Sequence, residues 1–184
     1  MKKVVKFGGS SLASARQFKK VGDIIRSDKA RRYVIPSAPG KRSSKDEKVT
    51  DMLYACYDAA STGGSYKKLL NKIKDRYHEI INGLDLNLNL DHEFERIEEN
   101  FLGGAGRDYA ASRGEYLNGI VMANYLGYES IDAAEVIFFD DKGNFEADLT
   151  NQELAERLEH VDRAVIPGFY GSKHDGSIKT FSRG

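Results

Sequence analysis

Val4-Val5-Lys6-Phe7-Gly8-Gly9-Ser10-Ser11 is the stretch on which the fold turns. Val4 to Phe7 is short and apolar and reads as a first strand. Gly8 and Gly9 end it, and Ser10 or Ser11 is placed to cap a helix. Leu12, Ala15, Phe18, Val21, Ile24 and Ile25 then fall on one face at helical spacing. Arg32 to Ser37 reads as a second strand. Two short strands joined through one helix form a βαβ unit, and hence a parallel sheet. The turn itself suits an anion. Its glycines let the backbone approach closely and reach positive φ, the first N–H groups of the helix point outward, and Lys6 adds a full charge. The spacing is neither Walker A nor G-x-G-x-x-G. An ordinary βα turn with two flexible glycines is the competing explanation.

Beyond the second strand, Ala38 to Lys48 is a polar, highly charged loop, expected to be mobile without ligand. Helical patterns follow at about Val49–Ser61, Tyr66–Asn82, Asp91–Leu102 and Arg107–Leu126, making a helical segment of about 49–126. Leu84, Leu86 and Leu88 alternate, but over too short a run to be more than a linker. Glu129–Asp132 and Val136–Phe139 return to strand, and Asp140–Asn144 is a turn cluster. Asn151–His160 is a short helix, Ala164–Phe169 a buried strand, and Lys173–Gly176 a hairpin-like turn. The order predicts an α/β protein: an open, mainly parallel sheet with helices on both faces. In such sheets ligands bind beyond the carboxyl ends of the strands. Gly8-Gly9, Ser37–Gly40 and Gly168-Phe169 all fall there.

The 184 residues suffice for one sizeable domain with a core. Lys+Arg and Asp+Glu both number 28, so there is no basic surplus of the kind nucleic-acid binding needs. Charged residues at 30% beside apolar residues at 40% describe a soluble globular chain. No segment approaches transmembrane length, and neither partner, nucleic acid or membrane, is expected. Cys56 is alone, which rules out an internal disulfide and a thiolate metal cluster and fits a reducing cytoplasm. It lies in an apolar helical stretch and reads as core. His78, His92, His160 and His174 lack metal-ligand spacing, and Asp140-Asp141 reads as a turn pair; no metal-ligating residue is nominated.

Five motifs in order resemble the catalytic region of the aspartate kinases, a branch of the amino-acid-kinase family. They are Lys6–Ser11; Ser37-Ala38-Pro39-Gly40 with Lys48-Val49-Thr50-Asp51; Ser112-Arg113-Gly114-Glu115; Pro167-Gly168-Phe169-x-Gly171; and Thr180-x-x-Arg183-Gly184. The resemblance runs from Met1 to Gly184. In the family a Gly-Ser-Asp motif follows the Arg-Gly pair, with residues for adenine, ribose and metal-bound phosphates beyond it. The resemblance therefore implies the amino-terminal, substrate-binding part of a longer catalytic domain, with the nucleotide half and the regulatory domains outside these residues.

The reaction so implied is transfer of the ATP γ-phosphoryl group to the side-chain carboxylate of L-aspartate, the entry to lysine, threonine and methionine synthesis. Lys6 is nominated for the γ-phosphoryl oxygens, and Gly8, Gly9 and Ser10 for backbone contacts to the same phosphate. Glu115 is nominated for the substrate ammonium, and Arg183 for a substrate carboxylate by a bidentate grip. Ser37 and Thr50 are candidates for the pocket wall, against a turn residue and a helix N-cap. Phe169 packs on the substrate or in the core. ATP brings Mg2+ bridging its phosphates. A homo-oligomer is expected of the full-length enzyme, with helices of 49–102 available for an interface. Two other possibilities remain: a non-catalytic module that binds substrate or assembles, and a related kinase with another acceptor such as glutamate. The 184-residue chain alone is expected to be inactive.

Overall fold

The computed structural model describes residues 1–182. Strand β1 (Lys3–Phe7) leads through a 3-10 turn (Gly9–Leu12) into helix α1 (Ala15–Arg26) and strand β2 (Arg31–Pro36). Four helices follow: α2 (Val49–Ser61), α3 (Lys67–Gly83), α4 (Asp91–Leu102) and α5 (Arg107–Leu126). The chain then runs through β3 (Glu129–Ser130), β4 (Phe138–Phe139), α6 (Ala147–Leu158), β5 (Ala164–Val165) and a hairpin of β6 (Tyr170–Lys173) and β7 (Ile178–Thr180). The cap expected at Ser10 or Ser11 is at Ser14 instead, whose Oγ accepts from the Gln17 N–H at 3.4 Å. The reason is the 3-10 turn: Ser11 N–H bonds back to Gly8 O at 3.0 Å, so α1 starts one turn later.

The main sheet has the order β1-β2-β5-β3, every pair parallel. Strand alternation divides its residues between two cores. Val34 and Val165 enter a large cluster with residues of α1, α2, α3 and α5. Tyr33, Ala164 and Ile166 enter a second cluster on the other face, with Val136, Val161 and Tyr170, against which Leu154 and Leu158 of α6 pack. Helices therefore cover both faces, as expected.

The single sheet that the pattern suggests is in fact two. β4, β6 and β7 form a separate sheet, parallel across β4–β6 and antiparallel across β6–β7. The stretch Ala164–Phe169 divides at the junction. Pro167 has no N–H for the ladder, and Phe169 takes a left-handed φ of 79°, rare for a large side chain. Helix α6 begins at Ala147 rather than Asn151. Its first turn is anchored by buried Thr150, whose Oγ1 accepts from the Phe138 N–H at 3.0 Å.

Helix α5 lies at the centre of the molecule and is buried on almost every side. Two glycines let neighbouring loops reach its backbone. A Cβ on Gly114 would sit 2.7 Å from the Ala38 Cβ, and one on Gly119 would sit 2.7 Å from the Pro167 Cγ. Each loop follows the carboxyl end of a strand of the main sheet, so α5 packs directly beneath the edge where ligands of parallel sheets bind.

Candidate functional site

Beyond the ends of β1 and β2 lies a cavity of about 480 Å³. Gly9, Ser10, Ser37, Thr50 and Glu115, nominated from different parts of the sequence, all line it. Lys41 and Lys48 line it too; neither is nominated for the site from the sequence, Lys41 being one charge of a charged loop and Lys48 only the first residue of Lys48-Val49-Thr50-Asp51.

Backbone packing builds the floor. Gly40 N–H donates to Gly9 O at 2.8 Å. A Cβ on Gly40 would stand 2.6 Å from the Gly9 carbonyl carbon, and one on Gly9 would stand 2.8 Å from Ala38 O. The two loops thus touch main chain to main chain. Neither Gly8 nor Gly9 is among the residues with positive φ. The expectation that these glycines serve a left-handed turn is corrected: close approach is what requires Gly9.

Ser37 is half-buried, and its N–H donates to Phe7 O at 3.0 Å. Its carbonyl accepts from Nδ2 of the fully buried Asn118 at 2.7 Å, which ties this loop to α5. Thr50 is buried and lies inside α2, whose N-cap is Lys48 without a side-chain cap bond. The N-cap alternative for Thr50 is therefore excluded. Glu115 is buried at 7% exposure on α5. One residue earlier, Gly114 accepts at its carbonyl from the Tyr77 hydroxyl at 2.8 Å. Burial, then the charge of Glu115, holds the Tyr77 phenol well above its ordinary range, so it remains a donor.

The other members of Ser112–Glu115 serve packing. Ser112 Oγ donates to Tyr109 O at 2.7 Å. The buried Arg113 guanidinium stacks over the rings of Tyr109, Tyr116 and Tyr170 at 4.6, 4.4 and 5.5 Å from their centroids.

Lys6, Gly8 and Phe169 do not line the cavity. Lys6 is exposed on β1, level with Ile35 of β2, and Gly8 is extended and exposed. Phe169 is half-buried, and its carbonyl accepts from the Phe181 N–H at 2.9 Å. Arg183 lies outside the described residues. Among the described residues, no group of three His, Cys, Asp or Glu side chains could hold a metal ion, and no helix is long and apolar enough to cross a membrane.

The cavity is therefore mixed in charge: one buried carboxylate, two ammonium groups, three hydroxyl side chains and a glycine-lined main-chain floor. Such a set can hold a small zwitterion by its ammonium and an anionic group by its lysines and N–H donors.

Known proteins share the sequence and the fold. Aspartokinase 3 of Bacillus subtilis (strain 168) is 36% identical over 200 residues, a match covering 98% of this chain and 43% of that protein. The crystal structure of Clostridium acetobutylicum aspartate kinase superposes with a TM-score of 0.95 at 50% identity, covering 100% of this chain and 42% of that one. E. coli aspartokinase III in complex with lysine and aspartate superposes at 0.77 with 25% identity, covering 98% of this chain and 44% of that one. The chain thus spans less than half the length of these relatives. The family model described as "Amino acid kinase family" matches residues 1–184. By that match over its whole length, the chain belongs to the amino acid kinase family.

Proposed function

We propose that this chain is the acceptor-binding part of an aspartate kinase, with the nucleotide half and the regulatory domains outside residues 1–184. In this reading a side-chain carboxylate oxygen of L-aspartate bonds to the γ-phosphorus of ATP. The bond from that phosphorus to the β-phosphate oxygen breaks, giving 4-phospho-L-aspartate and ADP. The observation that carries the proposal is the convergence of Gly9, Ser10, Ser37, Thr50 and Glu115 on one cavity. The likeness to aspartate kinases supports it, and the E. coli relative binds aspartate.

The chemistry fits the residues. The acceptor side chain, with a pKa near ~4, is ionised at neutral pH, so no general base is required. The work lies in holding two anions together and neutralising them. Glu115 takes the substrate ammonium, and Ser37 and Thr50 line its chain. Lys6 reaches the γ-phosphoryl oxygens, and Gly8, Gly9 and Ser10 offer main-chain N–H groups to the same phosphate. Phe169 and Arg183 complete the far side, Arg183 gripping a substrate carboxylate. Magnesium is implied by the ATP chemistry, and would neutralise charge on the nucleotide's phosphates. The protein works in the cytoplasm as a homo-oligomer, at the entry to lysine, threonine and methionine synthesis.

The test is an aspartate-dependent assay of the native gene product, with the acyl phosphate trapped by hydroxylamine. Hydroxamate formed from L-aspartate and ATP supports the proposal. Equal turnover of L-glutamate would assign a different acceptor, and no hydroxamate with either would leave a binding module.

A further inference from the structure

Most of the cavity wall comes from the loop between β2 and α2, which has no regular secondary structure between Ser37 and Lys48. One side chain outside the cavity holds both ends of that loop. Arg76 of α3 is only 3% exposed. Its Nη2 donates to Gly40 O at 2.8 Å, with a longer contact to Ala13 O at 3.5 Å. Its Nη1 donates to Glu47 O at 3.1 Å and to Asp46 Oδ2 at 3.1 Å. A single guanidinium therefore grips the start of the loop, its end, and the segment that continues from Gly9-Ser10 into α1.

Asp46 is held from its other side as well. Arg42 donates to it from Nε at 2.8 Å and from its backbone N–H at 2.9 Å, and reaches Glu79 from Nη1 at 2.5 Å. Hydrogen bonding from the Arg42 side chain keeps the Asp46 carboxyl well below the usual carboxylate range. Lys41 lies between the gripped residues and Lys48 directly after them, and both line the cavity.

Stability alone is a poor reason to bury an arginine here. Replacing a buried ion pair by apolar side chains of similar volume is often neutral or stabilising. A planar fork of donors supplies something apolar packing does not, namely fixed directions to several carbonyl oxygens at once. We infer that Arg76 is a positioning residue for the acceptor site, clasping both ends of the loop so that Ser37, Lys41, Lys48 and Thr50 are held around the bound amino acid. The inference rests on the kinase reading above.

Arg76→Lys, in the native gene product, tests it by steady-state kinetics. Lysine keeps the charge and loses the fork. The expected result is a KM for L-aspartate raised roughly tenfold, the equivalent of one charge-assisted hydrogen bond, with the KM for ATP little changed. Asp46→Asn, which leaves Arg76 in place and weakens one grip, gives the same split to a smaller degree and serves if Arg76→Lys does not fold. A purely structural role predicts fewer active molecules: lower kcat with the KM for L-aspartate unchanged. That pattern in either variant overturns the inference. A wild-type protein without aspartate-dependent turnover overturns the kinase reading instead, and this inference with it.

Discussion

Gly114→Ala separates helix propensity from packing at the site. In an exposed helix this change stabilises by about 0.8–1.0 kcal/mol. Here the new methyl would lie 2.7 Å from the Ala38 Cβ, 3.3 Å from Leu53 Cδ1 and 3.6 Å from Val49 Cγ1. Carbon atoms rest at about 3.5–4.0 Å, so the Ala38 contact is short by roughly an ångström. Overpacking of this kind costs about 1–3 kcal/mol. Subtracting the propensity gain leaves a net loss of about 1 kcal/mol, or roughly 2–4 °C for 150–250 residues. The assay is thermal unfolding of the native gene product, at the transition that L-aspartate shifts. Because Ala38 lies in the cavity wall, the KM for L-aspartate should rise in the same variant. Ala38→Gly removes the methyl that is struck, so the double variant should recover, with a coupling of at least about 0.5 kcal/mol. A Gly114→Ala protein that gains the full propensity term, uncoupled to Ala38→Gly, would refute the packing explanation.

Lys6→Ala should lower kcat on the order of 10²–10³-fold while changing the KM for L-aspartate only slightly, as loss of a charge matched to the transition state requires; equal losses in both would argue for a binding role. Cys56 is fully buried, and burial with the nearby charge of Glu98 pushes its thiol up to about 11. It should resist a thiol-reactive probe at pH 8 in the folded protein and react promptly in denaturant. His174 contacts Glu146 at 2.5 Å, and that hydrogen bond raises the imidazole above its ordinary 6.5. The contact therefore stabilises fully below pH 6.5 and its contribution is lost as pH rises through the raised value. An NMR titration of His174 should show the upward shift, and Glu146→Gln should remove most of it, leaving the smaller pull of Asp141 and Asp140.

Periodicity made the long elements legible. Helices α1 to α4 carry apolar faces over several turns, α5 is a long helix buried on almost every side, and β1 and β2 are runs long enough to show strand character. Strands β3, β4 and β5 are two residues each, too short for any alternation to appear. That is why two sheets read as one. At the site, Gly9, Ser37, Thr50 and Glu115 stood out because their residue types and neighbours formed patterns. Lys41 did not, and Lys48 did so only as the first residue of a motif, since a charged loop looks the same whether it faces solvent or a ligand. Arg76 left a fainter mark. It falls between Ile73, Tyr77 and Ile80, on the buried stripe of α3, and a charged residue at an apolar position asks for partners. Only the structure supplies them, because Gly40 and Glu47 lie 36 and 29 residues away in sequence.

The glycine contacts of α5 also make that helix a gauge between two parts of the protein. Gly114 sets the seat of the Ala38 loop and Gly119 that of the Pro167 loop, about 7.5 Å apart along the axis. A one-residue insertion between them would rotate one seat by about 100° against the other and move it off its loop. The length of this short span of helix is therefore as constrained as the two glycines that bound it.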